Sequence, residues 1–267
     1  MNRLIYISFA IVILSVVIIV ILSNFKESYD KNTPKFKLNV IIPIRNRDKE
    51  LNEITDILED IFKKQNIDAK YYIVEQEEGA KFNKGKISNA AFIESIKDNF
   101  SDYYLFNDVD LWPENSNVIK YNINTDNIIR HPYGQKHCLG CFFLTTKKTF
   151  REINGYSNNY WGWGGEDTDL QKRAECKNIK IDRSDFKYRG KKNTGIIDDI
   201  SEQPHRKFKL NKIKDSPNQK LKIKNSKKYK QNPNSIYLDG LTTCKYKIVS
   251  RVFYKQNPKM KKFKVFI

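Results

Sequence analysis

The chain has 267 residues, is 13% aromatic and carries a formal net charge of +18, enough for one large α/β domain or two small ones with a sizeable core. Lys, Asn and Ile are used heavily throughout, so the charge reads first as compositional bias. No nucleic-acid motif accompanies it, which excludes nucleic acid as a partner, although an acidic glycan would match part of it.

In chain order, Leu4 to Leu22 is an uncharged apolar run of about the length that crosses a bilayer. It follows Arg3 and shows no small-x-small cleavage site, so it predicts an uncleaved signal anchor over 4–23. A short polar stem (24–37) with Pro34 comes next. From Leu38 the pattern alternates. Leu38–Ile42 reads as a buried strand ending at Pro43, Lys49–Gln65 as a helix with apolar residues at Leu51, Ile54, Ile57, Leu58 and Ile61, and Tyr71–Val74 as a strand. Gly85–Asp98 reads as a helix and Tyr103–Phe106 as a third strand. This order predicts a mainly parallel sheet flanked by helices, with ligands at the carboxyl ends of the strands.

Three motifs fall at such ends. Arg45-Asn46-Arg47 offers two guanidinium forks for ribose or phosphate. Glu75-Gln76 ends the second strand. Asp108-Val109-Asp110 follows the third, and two carboxylates there suit a hard divalent cation bridging a diphosphate, with Asp110 the first-choice ligand and Asp108 facing the nucleotide sugar. Between the second and third strands, Phe82-Asn83-Lys84-Gly85 combines a ring for a base with a charge for phosphate.

Tyr160-Trp161-Gly162-Trp163-Gly164-Gly165-Glu166-Asp167 is the densest signal. It joins an aromatic platform, glycines that allow close approach to a ligand, and two acids at the predicted start of a helix running from Asp167 to Glu175. That combination can grip a sugar and deprotonate its hydroxyl. Lys187 to Asn234 is polar, basic and poor in periodicity and must hold a long loop. Cys138, Cys141, Cys176 and Cys244 include no second pair or His pair to complete a zinc site, and read as buried thiols or one disulfide. Asn99-Phe100-Ser101 is the lone N-glycosylation sequon.

Taken in order, Pro43–Arg47, Phe82–Lys86, Asp108–Leu111, Ile153-Asn154-Gly155, Asn159–Asp167 and Asp239-Gly240-Leu241 resemble the β-1,4-galactosyltransferase family. The closing Lys245–Arg251 is similar to the branch that galactosylates protein-linked xylose. The resemblance covers residues from about Leu38 to the C-terminus. It implies a GT-A fold over 38–267, a type II anchor in the Golgi, Mn²⁺, and a UDP-sugar donor, UDP-galactose or UDP-GalNAc. It implies an acceptor glycan, ending in xylose or N-acetylglucosamine. By position, Pro43, Arg45, Arg47, Phe82, Lys84, Asp108 and Val109 would hold the nucleotide. Asp110, His205 and Glu202 would ligate the metal. Trp163, Gly164, Gly165, Glu166 and Thr168 would line the sugar and acceptor sites, and Asp167 would be the base.

The chain departs from the family pattern at four places. Lys84 stands where Arg is usual, Thr168 where a second acceptor-binding Asp is usual, and Glu202 where Met or His occurs. Cys138-Leu139-Gly140-Cys141 replaces an aromatic-x-Gly-Gly stretch whose first residue crowds an N-acetyl group, so a small Cys138 would admit N-acetylgalactosamine. The alternative readings are therefore a UDP-GalNAc-using transferase and an inactive glycan-binding relative.

Overall fold

The computed structural model describes residues 13–21, 36–123, 126–198 and 216–267. The chain divides into one unit up to Lys35 and a second over Phe36–Ile267. In the first, residues 13–21 form a helix with exposed side chains. Among the described residues no helix is long and apolar enough to cross a membrane, and both ends of the predicted anchor lie outside them.

The second unit begins with β1 (Phe36–Ile44), buried without interruption from Leu38 onward. Such a run suits a central strand covered on both faces. It lies between β2 (Ile67–Gln76) and β3 (Tyr103–Asn107), parallel to both. Helix α1 (Asp48–Lys64) joins β1 to β2 and buries Leu51, Ile54, Leu58, Ile61 and Phe62. Helix α2 (Lys84–Ile96) joins β2 to β3 and starts at Asn83, whose side chain accepts from the Lys86 amide. The period-two alternation of β1 divides the core. Val40 and Ile42 pack with α1 on one face, while Ile41 packs with Phe92 of α2 and Leu170 on the other.

Beyond β3 come β4 (Leu111–Pro113), β5 (Ile128–Gly134), β6 (Phe142–Thr146), α3 (Lys147–Glu152) and α4 (Glu166–Cys176). Then follow β7 (Lys180–Asp182), β8 (Lys187–Tyr188), β9 (Ile196–Asp198), α5 (Pro217–Gln231), β10 (Lys247–Phe253) and β11 (Met260–Phe266). The main sheet runs β10-β11-β2-β1-β3-β6-β5-β7 with β8 beside β5, and β4 pairs with β9.

One expectation is corrected. The sheet is mixed, because β6 runs antiparallel to β3 and β5, and β10 antiparallel to β11. The stretch from Lys187 to Asn234, expected to hold a long loop, also contains β8, β9 and the 15-residue helix α5, and its residues 199–215 lie outside the described ones. Ser216 caps that helix by accepting from the Gln219 amide, with proline in the first turn.

Candidate active site

The carboxyl ends of β1, β2 and β3 open on one side of the sheet, and each carries a predicted motif. After β1 the chain turns at Asn46, with φ of 54°. Arg45 donates to the Ala80 carbonyl at 2.7 Å and lies 5.3 Å from the Phe82 ring centroid. Arg47 pairs with Glu50 at the start of α1. At the end of β2, Gln76 Oε1 accepts from the Asn83 amide at 2.7 Å, which sets the entry of α2 and hence Lys84.

After β3 the side chain of Asn107 donates to the carbonyls of Asp108 and Leu111 at 2.7 and 2.8 Å. The Asp108 amide donates to Cys141 at 2.8 Å. The turn over Asp108–Leu111 is therefore rigid. Val109 packs into the core on the α1 side, and Asp110 is 8% exposed.

The Trp-Gly loop explains its glycines. Gly162, Gly164 and Gly165 have φ of 78°, 91° and 100°, which disfavours residues with a side chain. A Cβ on Gly165 would also meet the Tyr160 ring at 2.8 Å. The Gly162 amide donates to the Phe82 carbonyl at 2.7 Å, fastening this loop to the predicted nucleotide side. Tyr160 is buried, whereas Trp163 is 65% exposed. The loop ends at Gly165, the N-cap of α4, and Glu166 and Asp167 occupy the first helical positions. The positive end of the helix favours carboxylates there.

Lys84 brings these parts together. Its ammonium lies 3.0 Å from Asp108 Oδ1 and 2.9 Å from Asp167 Oδ1. Burial alone would lower the pKa of Lys84, but Asp108 and Asp167 outweigh it and hold the ammonium charged well above its usual range. Burial raises the pKa of Asp167 against the pull of Lys84. Burial and the neighbouring Asp167 push Glu166 up to about 8. Glu166 Oε2 is buried with no hydrogen-bond partner, an acceptor open to a sugar hydroxyl.

The β5–β6 loop closes the other side. The Leu139 amide donates to the Asp167 carbonyl at 3.0 Å, and a Cβ on Gly140 would meet Asp167 Oδ2 at 2.7 Å. Cys138, beside Asp167, has its thiol pushed up to about 11 by burial. All four cysteines are free thiols. Pro43, Lys84, Asp108, Leu139, Cys141 and Tyr156 line one small cleft. Glu202 and His205 lie outside the described residues, and among the described residues no three His, Cys, Asp or Glu side chains group as a metal site.

Sequence reading missed several residues that support this site. Asp169 is buried below Asp167 and accepts from Tyr160 at 2.9 Å, Arg173 at 2.8 Å, Asn225 at 2.9 Å and Tyr229 at 3.2 Å. Its spacing to Arg173 on α4 was the available signal. Arg189, which binds Asp198 through two nitrogens at 2.6 and 2.7 Å, stands alone in a polar stretch and offers no such signal.

Residues 24–122 match the model of the N-terminal region of glycosyl transferase group 7, and residues 125–195 that of the N-terminal domain of galactosyltransferase. β-1,4-Galactosyltransferase 4 of Homo sapiens is 32% identical over 224 residues, covering 80% of this chain and 59% of that protein. β-1,4-Galactosyltransferase 1 of Bos taurus is 34% identical over 156 residues, covering 55% of this chain and 38% of that protein. The chain thus spans about 59% of the length of the human relative. A crystal structure of a Drosophila β-1,4-galactosyltransferase 7 mutant with manganese, UDP-Gal and xylobiose superposes with a TM-score of 0.65 at 23% identity, covering 87% of this chain and 94% of that one. A second structure of that enzyme's catalytic domain with xylobiose gives 0.66 at 21%. These likenesses establish a GT-A-like glycosyltransferase fold. On its sequence matches and fold together, the chain belongs to the β-1,4-galactosyltransferase family of glycosyl transferase group 7.

Proposed function

We propose that the protein is an inverting glycosyltransferase that moves galactose from UDP-galactose to a sugar hydroxyl, forming a β-1,4 linkage on a glycan or glycoprotein. The observation that carries this reading is the placement of Asp167 at the N-terminus of α4, 2.9 Å from the Lys84 ammonium, which also reaches Asp108 at 3.0 Å. One base and one cation stand together at the strand ends.

In the reaction, the acceptor oxygen attacks the anomeric carbon and the bond from that carbon to the diphosphate oxygen breaks. UDP leaves with the bonding pair, and the acceptor proton passes to Asp167. A raised pKa makes Asp167 a better proton acceptor near neutral pH. Lys84 supplies positive charge on the side where the diphosphate departs. Glu166, with its unpartnered Oε2, binds a hydroxyl of the transferred sugar, and the exposed Trp163 offers a flat face for stacking, beside Gly164, Gly165 and Thr168. Pro43, Arg45, Arg47, Phe82, Asp108 and Val109 hold the nucleotide. Asp110 is a hard oxygen donor that fits a divalent cation. With His205 and Glu202 it would hold Mn²⁺, which when bound neutralises diphosphate charge.

The acceptor is a glycan ending in xylose or N-acetylglucosamine; the xylose branch follows from the closing Lys245–Arg251 and from xylobiose in the Drosophila enzyme's structure. Placement as a type II Golgi membrane protein rests on the family and on the Leu4–Leu22 run. An inactive glycan-binding relative is the competing reading. It is separated by assaying the full-length chain in detergent with Mn²⁺, UDP-Gal or UDP-GalNAc, and xyloside, glucoside and N-acetylglucosaminide acceptors. Turnover that falls by about 10²–10⁴-fold in Asp167→Asn, with UDP binding retained, supports the transferase. UDP binding without turnover on any acceptor supports the inactive relative.

A further inference from the structure

A groove of about 220 Å³ runs between α4 and α5, lined by Thr168, the residue after the proposed base, and by Lys172, Lys222, Ile223, Lys227 and Lys230 among others. No carboxylate lines it. Lys172 pairs with Glu175, whereas Lys222, Lys227 and Lys230 have no carboxylate partner among the described residues. Residues 222, 223, 226, 227 and 230 form one stripe along α5, and Thr168 and Lys172 form the facing stripe of α4 one turn apart. The excess of Lys and Arg behind the +18 charge lies after Gln171, and this cluster gives part of it a fixed place.

Two observations tie the groove to the sugar site. Asn218, in the first turn of α5, donates to the carbonyls of Trp161 and Trp163 at 3.1 and 3.3 Å, so the lysine helix is fastened to the exposed tryptophan loop. Farther along, Asn225 and Tyr229 reach Asp169, two residues after Asp167, at 2.9 and 3.2 Å. The base, the aromatic platform and the lysine stripe therefore form one polar assembly. Ile223 is 54% exposed in the same groove and adds an apolar contact of the kind a sugar face uses.

From this arrangement we infer that the groove is an acceptor subsite for an anionic saccharide, one bearing a sulfate ester, phosphate or uronic-acid carboxylate. Thr168 has no charge to repel such a group. The volume is below the roughly 300–1,000 Å³ of drug-sized sites, so the groove takes a single charged sugar unit while the reacting hydroxyl lies at Asp167. This assignment rests on the transferase reading.

The test compares kcat/KM for one neutral acceptor saccharide with its sulfated, phosphorylated and uronic-acid counterparts. Full-length wild type, Lys222→Gln/Lys227→Gln and the charge-matched control Lys63→Gln/Lys64→Gln would be used. The control sites lie on α1, which packs on the opposite face of the sheet from α4. The expected result is an anionic preference of about tenfold or more in the wild type, lost in the groove variant, kept in the control, and strongest for one of the three anions. An equal preference in wild type and groove variant, or an equal fall in the control, overturns the assignment. So does loss of binding to phosphatidylserine vesicles in the groove variant with acceptor preference intact, which would make the groove a membrane contact. If no acceptor turns over, calorimetry with the same saccharides decides. Anionic binding lost only in the groove variant upholds the subsite while the transferase reading fails, and equal binding by all three proteins rejects the subsite.

Discussion

The Lys84 ammonium lies 2.9 Å from Asp167 Oδ1, and the same nitrogen reaches Asp108 at 3.0 Å. One cation at the start of α2 thus joins the end of β3 to the start of α4. The Lys84 side chain is only 15% exposed, so its charge matters to both carboxylates. Lys84→Met is expected to leave two carboxylates without their counter-charge and to lower kcat/KM for UDP-Gal by about 10²-fold or more. Lys84→Arg should stay within about tenfold, because a guanidinium keeps the charge and adds a fork. Steady-state kinetics on both variants checks this; equal activity in Lys84→Met removes the ammonium from the mechanism.

Gly140 touches Asp167, the proposed base, directly. Its missing Cβ leaves room that Asp167 Oδ2 fills, at 2.7 Å from where that atom would stand. The clash falls on the tip of a side chain, so Gly140→Ala should cost little stability, about 1 kcal/mol or less. It should still lower kcat by about 10- to 100-fold by displacing the base. A thermal melt alongside kcat separates the two effects, and a large fall in Tm would show that the glycine serves the fold instead.

Cys138 tests donor choice. Cys138→Tyr restores an aromatic side chain beside Asp167 and should shift the UDP-Gal to UDP-GalNAc rate ratio toward galactose by about tenfold. Competition between the two donors measures it, and an unchanged ratio rejects crowding at this position.

The buried pair of Asp169 and Arg173, 2.8 Å apart and 1% and 0% exposed, docks α5 against α4. Arg173→Met removes one partner and strands a charge, at an expected cost of about 3–5 kcal/mol. Urea denaturation reads the loss. Hydrogen exchange should quicken in α5 more than in β1–β3, and a uniform change would contradict a local docking role.

Stability should depend on pH through two groups of opposite sign. His131 is fully buried. Its ring shares a hydrogen bond of 2.9 Å with the Gly140 carbonyl and accepts from Arg183 at 3.1 Å. Burial pushes its pKa down to about 4. The unfolded chain binds that proton near pH 6.5, so the contribution is complete above about 6.5 and is lost as pH falls to about 4, by roughly 3 kcal/mol. Glu166, raised to about 8, works the other way: its contribution is complete below about 4.5 and is lost as pH rises through 8. Urea midpoints across pH 4–9 should flatten on the acid side in His131→Gln and on the alkaline side in Glu166→Gln. Unaltered profiles would assign the slopes to other groups.

The candidate site motifs and the central strands were legible in the chain itself. Leu38–Ile44 is apolar apart from Asn39, and the acids at the strand ends and the glycines before α4 announce themselves because a site needs those residue types whatever the surroundings. The antiparallel strands were not legible, since β6 and β10 obtain their direction from pairing partners far along the chain. Helix α5 was not legible either. It buries only Asn218 and Tyr229, so it has no apolar stripe to detect and is held by hydrogen bonds to Asp169 and to the tryptophan loop. The sequence by itself determined the family, the acidic helix start and the apolar centre of the sheet, because local composition and spacing carry those. Only the tertiary structure decided that Lys84 bridges Asp108 and Asp167, that Gly140 backs Asp167, and that scattered lysines line one groove. Each of these depends on bringing distant segments within a few ångströms, where burial turns ordinary charges into a site.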